Sequence, residues 1–204
     1  SHISGTNKVA SMVVFTNGEP DKAAYRKFRI KTVEGNDDFA SLQETLTRRL
    51  TELKEGSEDD SLGARPDLIV IDGGKGQLSS VMEIVTALGV TDIPFISLAK
   101  REEEVFLPGQ SEPVILPRNS YALKLLQRIR DEAHRFAITF HRQLRKKSQT
   151  VSELLSVPGV GEGRVKALYK HFGTVAAIKS ASVEQLAAVK GMNLPAAQAV
   201  YKHF

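Results

Sequence analysis

An aspartate, Asp72, closes the apolar run Leu68-Ile69-Val70-Ile71 and is followed at once by Gly73-Gly74-Lys75-Gly76-Gln77. A four-residue aliphatic run bounded by Pro66 and a glycine pair reads as a strand buried on both faces. Its terminal carboxylate then sits at the carboxyl edge of a sheet, where α/β folds place their chemistry. Further along, Arg128-Ile129-Arg130-Asp131-Glu132-Ala133-His134-Arg135-Phe136-Ala137 sets an imidazole among guanidinium groups on a helix. A carboxylate and an imidazole beside a cationic surface suggest metal-assisted attack on a polyanion. His134 lies about 100° around the helix from Ala133, at the margin of the apolar stripe, where it can reach a sheet-edge carboxylate or cap a core contact.

The glycines after Asp72 invite comparison with a nucleotide-phosphate loop, but that loop needs Gly-x-x-x-x-Gly-Lys followed by Ser or Thr. Here Gly76-Gln77 follows Lys75, so nucleotide hydrolysis is a weak reading. A second feature lies near the C-terminus. Leu154, Val157, Gly159, Ala167, Tyr169, Lys170, His171 and Phe172 recur 32 residues later as Leu186, Val189, Gly191, Ala199, Tyr201, Lys202, His203 and Phe204. Each copy reads helix, tight glycine turn, helix. The tyrosines are expected in the core of a small domain and the histidines at helix ends.

Positioning these groups takes several elements. Residues 9 to 16 and 23 to 33 are strand-like and separated by Asn17-Gly18-Glu19-Pro20-Asp21, so an antiparallel pair is expected. Asp37-Asp38 opens a helical pattern with Phe39, Leu42, Leu46, Leu50 and Leu53 on one face, which decays into an acidic stretch, Glu55 to Asp60, expected as an exposed loop. A second helix carries Leu78, Val81, Ile84, Val85 and Leu88 and ends at Gly89. Pro94 to Leu98 is a strand, and Val105-Phe106-Leu107 with Val114-Ile115-Leu116 a short hairpin. A long helix capped by Ser120 is expected to run to Lys147 with Ala122, Leu126, Ile129, Ala133, Phe136, Phe140 and Leu144 as its stripe, followed by a linker at Ser148-Gln149-Thr150.

Charge divides along the chain. Residues 1–117 hold 13 basic against 19 acidic side chains, residues 118–147 hold 9 against 2, and residues 148–204 hold 6 against 3, within a net charge of +4. A basic helix followed by a basic small domain is the footprint of a nucleic-acid binder, and a solvated cationic helix with no partner has the same composition. The 204 residues contain no cysteine, which excludes disulfides and thiolate metal sites and fits a reducing cytosol. No apolar run approaches the roughly 20 residues that span a bilayer, so no membrane partner and a cytoplasmic location are expected.

Val157-Pro158-Gly159-Val160-Gly161-Glu162-Gly163-Arg164 resembles a helix-hairpin-helix, and the repeat resembles the tandem form found in DNA repair proteins. Glycines let such a turn press its backbone against a phosphodiester, and the following helix aims unpaired N–H groups at phosphate oxygens. The expected DNA contacts are Gly159, Gly161, Gly163, Arg164, Lys166 and Gly191, with Arg130 and Arg135 adding charge from the long helix. The second copy has Asn193 where Gly161 stands and Pro195 where Gly163 stands. A purely structural helix pair is the alternative.

Val9 to Phe15, Tyr25-Arg26-Lys27-Phe28, Asp37-Asp38, Ile71 to Gln77, Leu98-Ala99-Lys100-Arg101 and Arg130 to Ala137 closely resemble the C-terminal half of the UvrC family, the incision subunit of bacterial nucleotide excision repair. The resemblance covers essentially the whole chain. It implies an α/β fold: an RNase H-like mixed sheet flanked by helices over residues 1–147, followed by an all-α tandem helix-hairpin-helix domain over 151–204. It further implies an endonuclease that cuts damaged double-stranded DNA on the 5′ side of the lesion with Mg²⁺ or Mn²⁺, with UvrB as partner and UvrA acting earlier. By position it makes Asp72 and His134 catalytic and metal-binding, and Asp38, or its neighbour Asp37, a further catalytic acid. The family opens this domain with Asp-Ile-Ser-His, of which Ser1-His2 stand here. The expectation is therefore a preceding strand that pairs with the Asp72 strand and ends in an aspartate facing it. A scaffold that keeps this fold and binds DNA without cutting it is the rival reading.

Overall fold

The computed structural model describes residues 9–33, 37–99 and 103–204. The chain forms two compact units, Ser1–Thr139 and Phe140–Phe204.

The first unit is mixed α/β. Strands β1 (Val9–Met12) and β4 (Arg26–Arg29) pair antiparallel with Val9 opposite Arg29. The expected long pair is shorter than its sequence suggested. Between its halves, β2 (Phe15–Thr16) and β3 (Glu19–Pro20) make their own two-residue hairpin around Asn17 and Gly18, both at positive φ, and a 3₁₀ turn at Lys22–Ala24 follows. Turn chemistry thus dominated over β-propensity in residues 13–25.

A second sheet holds β5 (Ile69–Asp72), β6 (Phe95–Leu98) and β7 (Val105–Phe106) in that order. β5 and β6 are parallel, as the helix joining them demands, and β7 runs antiparallel and is bridged to Val114. Among the described residues, β6 is the one strand paired with β5. Alternation along these strands feeds two cores. Ile69, Ile71 and Phe95 pack with α1 (Asp38–Glu55) and α3 (Lys75–Ala87) through Leu46, Leu50, Leu78 and Val81. Val70, Ile96 and Leu98 face the other way, onto Leu123 and Leu126 of the long helix α4 (Tyr121–Ser156). The sheet is therefore covered on both faces, which explains its unbroken aliphatic composition.

Local signals account for the element ends. The Asp37 carboxylate accepts the Ala40 N–H at 2.9 Å to start α1, and Gly89 at φ +67 follows α3. The acidic stretch is a largely exposed loop over residues 56–59, as expected, with a helix at each end. Asp59 accepts the Ser61 and Leu62 amides as N-cap of α2 (Asp60–Gly63) and binds both Nε and Nη2 of Arg26 at 2.6 Å. Those four interactions hold its carboxyl near 2, with the Arg26 bonds the largest cause.

Ser148-Gln149-Thr150 is no linker. It lies inside α4, Thr150 is buried, and its Oγ1 donates to the Lys146 carbonyl at 3.0 Å. Serine and threonine can bond back to the i−4 carbonyl without stopping a helix, and the first proline of this region is Pro158. The stripe also starts one residue later than expected, with Leu123 buried and Ala122 exposed.

The second unit is all helical. The end of α4 is followed by α5 (Glu162–Phe172), α6 (Val175–Ser180), α7 (Val183–Ala187) and α8 (Leu194–His203). The repeat is visible in the core, where Leu154 and Leu186, Val157 and Val189, Val165 and Ala197, and Leu168 and Val200 are buried as equivalent pairs. One departure is Tyr201, expected inside with Tyr169 but 57% exposed. Tyr169 does pack on the core, with its hydroxyl buried near Thr150.

Candidate functional site

Asp72 ends β5 with its side chain exposed, level with Leu98 of β6. The chain then turns through Gly73-Gly74 into α3. Gly73 cannot carry a side chain, since a Cβ there would stand 2.8 Å from the Gln77 side chain, which folds back so that its Oε1 accepts the Gly74 N–H at 3.0 Å. The buried Ser97 hydroxyl lies 3.4 Å from the Gly74 carbonyl on the β6 side. The glycine turn is thus a close-packed corner rather than an open phosphate cradle.

Asp38 reaches the same corner from α1. Gln43 donates to the Ser80 carbonyl at 2.9 Å and Lys54 to the Leu88 carbonyl at 2.7 Å, so α1 and α3 lie with early residues beside early and late beside late. Their N-termini therefore share the carboxyl edge of β5. Gly76 makes this possible: the Phe39 ring would sit 3.3 Å from a Cβ there. Asp37 is engaged as the cap, and Asp38, one residue on, is exposed beside it.

His134 arrives on α4, exposed, one turn after Arg130. Arg130 donates to Glu103 at 2.7 Å, and the Glu104 carbonyl accepts the Ala99 N–H at 2.9 Å just beyond the end of β6. This contact brings the α4 turn before His134 to the edge that bears Asp72. A second brace holds the other side. Tyr25 donates its hydroxyl to Glu132 at 2.9 Å and stacks edge-on with Phe136 at 5.1 Å, while Lys27 lies 5.3 Å over the same ring. Arg135 grips Glu132 with two bonds of 2.6 Å, the main reason that carboxyl lies near 2; burial and the Glu132 bond push the Tyr25 hydroxyl up to about 12.

The structure thus places Asp38 and Asp72 at the carboxyl edge of β5 and ties the α4 turn before His134 to the segment beyond β6. The Asp38 and Asp72 carboxylate oxygens suit a hard divalent cation, and the His134 imidazole is a softer, borderline donor. Among the described residues no group of three or more His, Cys, Asp or Glu side chains is gathered to hold a metal. The residues flanking His134 are engaged within the protein: Arg130 with Glu103 and Asp131, Arg135 with Glu132. Sequence reasoning missed Tyr25, Glu103 and Glu132. The spacing of Glu132 and Arg135 announced an ion pair on one helix face, whereas nothing local pointed to Tyr25, 107 residues from its acceptor.

In the second unit, Gly159 and Gly191 occupy equivalent turns at φ +79 and +94. Gly161 precedes α5 as an N-cap without side-chain oxygen, so the first amides of α5 keep no side-chain acceptor, and Gly163 stands open beside them. The second copy is already capped: Asn193 Oδ1 accepts the Ala196 N–H at 3.0 Å, and Pro195 has no N–H to offer. Arg164 bonds inward, from Nε to the Gly191 carbonyl at 2.9 Å and from Nη1 to the Gly159 carbonyl. Lys166 is exposed on α5. His171 and His203 end α5 and α8 as expected, each edge-on to the next phenylalanine. Among the described residues no helix is long and apolar enough to cross a membrane.

Comparison with known proteins adds two family matches. Residues 1–138 match the family described as "UvrC RNAse H endonuclease domain", and residues 151–204 match "SAM-like Helix-hairpin-helix tandem". The chain is 53% identical over 179 residues to the UvrABC system protein C of Dehalococcoides mccartyi, covering 88% of this chain and 30% of that protein. It is 54% identical over 175 residues to the protein of the same name from Methanosphaera stadtmanae, covering 84% and 29%. For that of Moorella thermoacetica the values are 52% over 178 residues, 87% and 29%. The chain thus spans about 30% of the length of these relatives.

Proposed function

Because the chain belongs to the UvrC family, we propose that it acts in nucleotide excision repair, with Ser1–Thr139 as the endonuclease unit that makes the 5′ incision and Phe140–Phe204 holding the DNA. The observation that carries this reading is the family match, supported by Asp38 and Asp72 at the carboxyl edge of β5 and by the tie between the α4 turn before His134 and the segment beyond β6. Asp72 and His134 are the ligands proposed for Mg²⁺ or Mn²⁺, and Asp38 is a further acid at the same edge. When bound, such an ion screens the phosphodiester and lowers the pKa of the attacking water. The protein's own contribution is position: the glycine corner fixes Asp72, and the two braces on α4 fix His134.

In the second unit the uncapped start of α5 and Lys166 are proposed to bind phosphate without reading bases. The substrate is damaged double-stranded DNA presented by UvrB, with UvrA acting earlier. A lesion-bearing duplex preloaded with UvrB tests the reading. The protein should nick it 5′ of the lesion only with Mg²⁺ or Mn²⁺ present, and Asp72→Asn and His134→Ala should each abolish the nick while DNA affinity persists. Nicking that survives chelation, or either substitution, would reject the assignment. Undiminished DNA binding with no nicking by the wild type under any metal would favour the non-cutting scaffold.

A further inference from the structure

We infer that Arg164 is a clamp that locks the two hairpin turns of the second unit at one spacing, so that they meet a DNA backbone as a single surface; this rests on the DNA-binding reading and deepens it. The argument starts from the repeat. Gly159 and Gly191 are equivalent residues of the two copies, 32 positions apart. One guanidinium donates to both of their carbonyls, from Nη1 to Gly159 and from Nε to Gly191. The equivalent of Arg164 in the second copy is Ala196, so a single side chain serves both turns. Ala196 also closes the contact from the other side, its Cβ standing 3.9 Å from where a Gly159 Cβ would be, with Arg164 Nη1 at 3.7 Å.

An arginine that served DNA alone would leave its fork open to solvent. Here two edges of the fork are bonded to turn carbonyls, and these are the turns that must approach phosphate. Only a rigid planar fork can fix two acceptors at a set separation; a lysine ammonium carries the same charge on a flexible stem without that geometry. Arg164 is therefore a positioning residue, and the side-chain phosphate contact on α5 falls to Lys166, which is exposed two residues on and on another face of the helix.

Arg164→Lys and Lys166→Ala, each in the full chain, separate geometry from charge. Two readouts are taken for each: affinity for a duplex across a salt series, and amide exchange in the free protein. Arg164→Lys should bind about tenfold more weakly, the worth of charge-assisted hydrogen bonds, with its salt dependence kept. Its amides around Gly191 to Ala196 should exchange faster while those of Val165 to Phe172 stay protected. Lys166→Ala should leave exchange unchanged and lower the salt slope by about 0.9, one phosphate contact. Wild-type affinity and exchange in Arg164→Lys would overturn the clamp, because charge alone would then suffice. Loss of protection throughout residues 151–204 would also overturn it, making Arg164 a general support of the fold. Failure of the wild-type chain to bind duplex would count against the DNA-binding reading, while the exchange measurement would still decide the clamp.

Discussion

In Phe140–Phe204 the groups proposed to meet DNA are mostly backbone, whereas in Ser1–Thr139 those proposed to cut it are side chains brought from three distant segments. The difference shows in how each unit is held. The helical unit has one core in which equivalent residues of the two copies are buried together, so its turns follow from the packing of the repeat. The α/β unit divides its core across a sheet and places Asp38, Asp72 and His134 outside it. The site proposed there would need polar braces, and Glu103 with Arg130 and Tyr25 with Glu132 are placed to serve as them. A unit that binds by backbone is shaped mainly by its core, here with one arginine bonding its two turns. One that reacts through exposed side chains needs a second set of side chains to aim them.

The largest effect expected from breaking this contrast is in the helical core. Leu168→Ala empties a fully buried site and should destabilise the unit by about 2–5 kcal/mol, read from urea unfolding with amide probes in residues 151–204. Duplex affinity should fall with it, since Arg164 can bond the two turns only while the core holds them beside each other. If affinity held at denaturant concentrations where the core had melted, the turns would owe their shape to something other than the repeat.

A smaller effect should follow from cutting a brace. Tyr25→Phe keeps the ring against Phe136 and removes one hydrogen bond to a carboxylate, a loss of about 1.5–3 kcal/mol at most. In thermal unfolding the variant should melt modestly lower. In UvrB-dependent incision it should lower the rate of cutting more than the affinity for DNA, because α4 around His134 is less well aimed. Equal losses in rate and affinity would mean that the Tyr25 contact supports the fold without aiming the site.

The smallest effect concerns acid. The Asp59 carboxyl, ordinarily at 3.8, is held near 2 by Arg26, so the folded state favours its ionised form. Its stabilising contribution is present above about pH 4 and is lost as pH falls through about 2. Asp59→Asn should be less stable at neutral pH and show a shallower loss of stability between pH 4 and 2. A parallel acid limb in wild type and variant would remove Asp59 from that account.

What the sequence made legible follows the same division. The 32-residue repeat and its glycines specified the helical unit almost completely, because each copy states its own turn and core. In the first unit, the aliphatic run ending at Asp72 and the apolar faces of α1 and α3 were readable from local periodicity. His134 stood out as an imidazole among guanidinium groups and Asp38 came with the family resemblance, while the placement of Asp38 beside the Asp72 edge needed the packing of α1 on α3. The Tyr25 brace and the inward turn of Arg164 were hidden, since a hydrogen bond across 107 residues or between two repeats leaves no periodic trace. The run through Ser148-Gln149-Thr150 misled because polar residues mimic a linker where no glycine or proline breaks the helix.

The division of labour is tested most directly by measuring duplex affinity and metal-dependent 5′ incision side by side for wild type, Asp72→Asn and Lys166→Ala, with UvrB-loaded lesion DNA as the incision substrate. Asp72→Asn should bind like the wild type and not cut. Lys166→Ala should bind more weakly, with a flatter salt dependence, and should recover its cutting as protein concentration is raised. Cutting by Asp72→Asn at the wild-type rate, or a loss of cutting by Lys166→Ala that no concentration restores, would contradict the account.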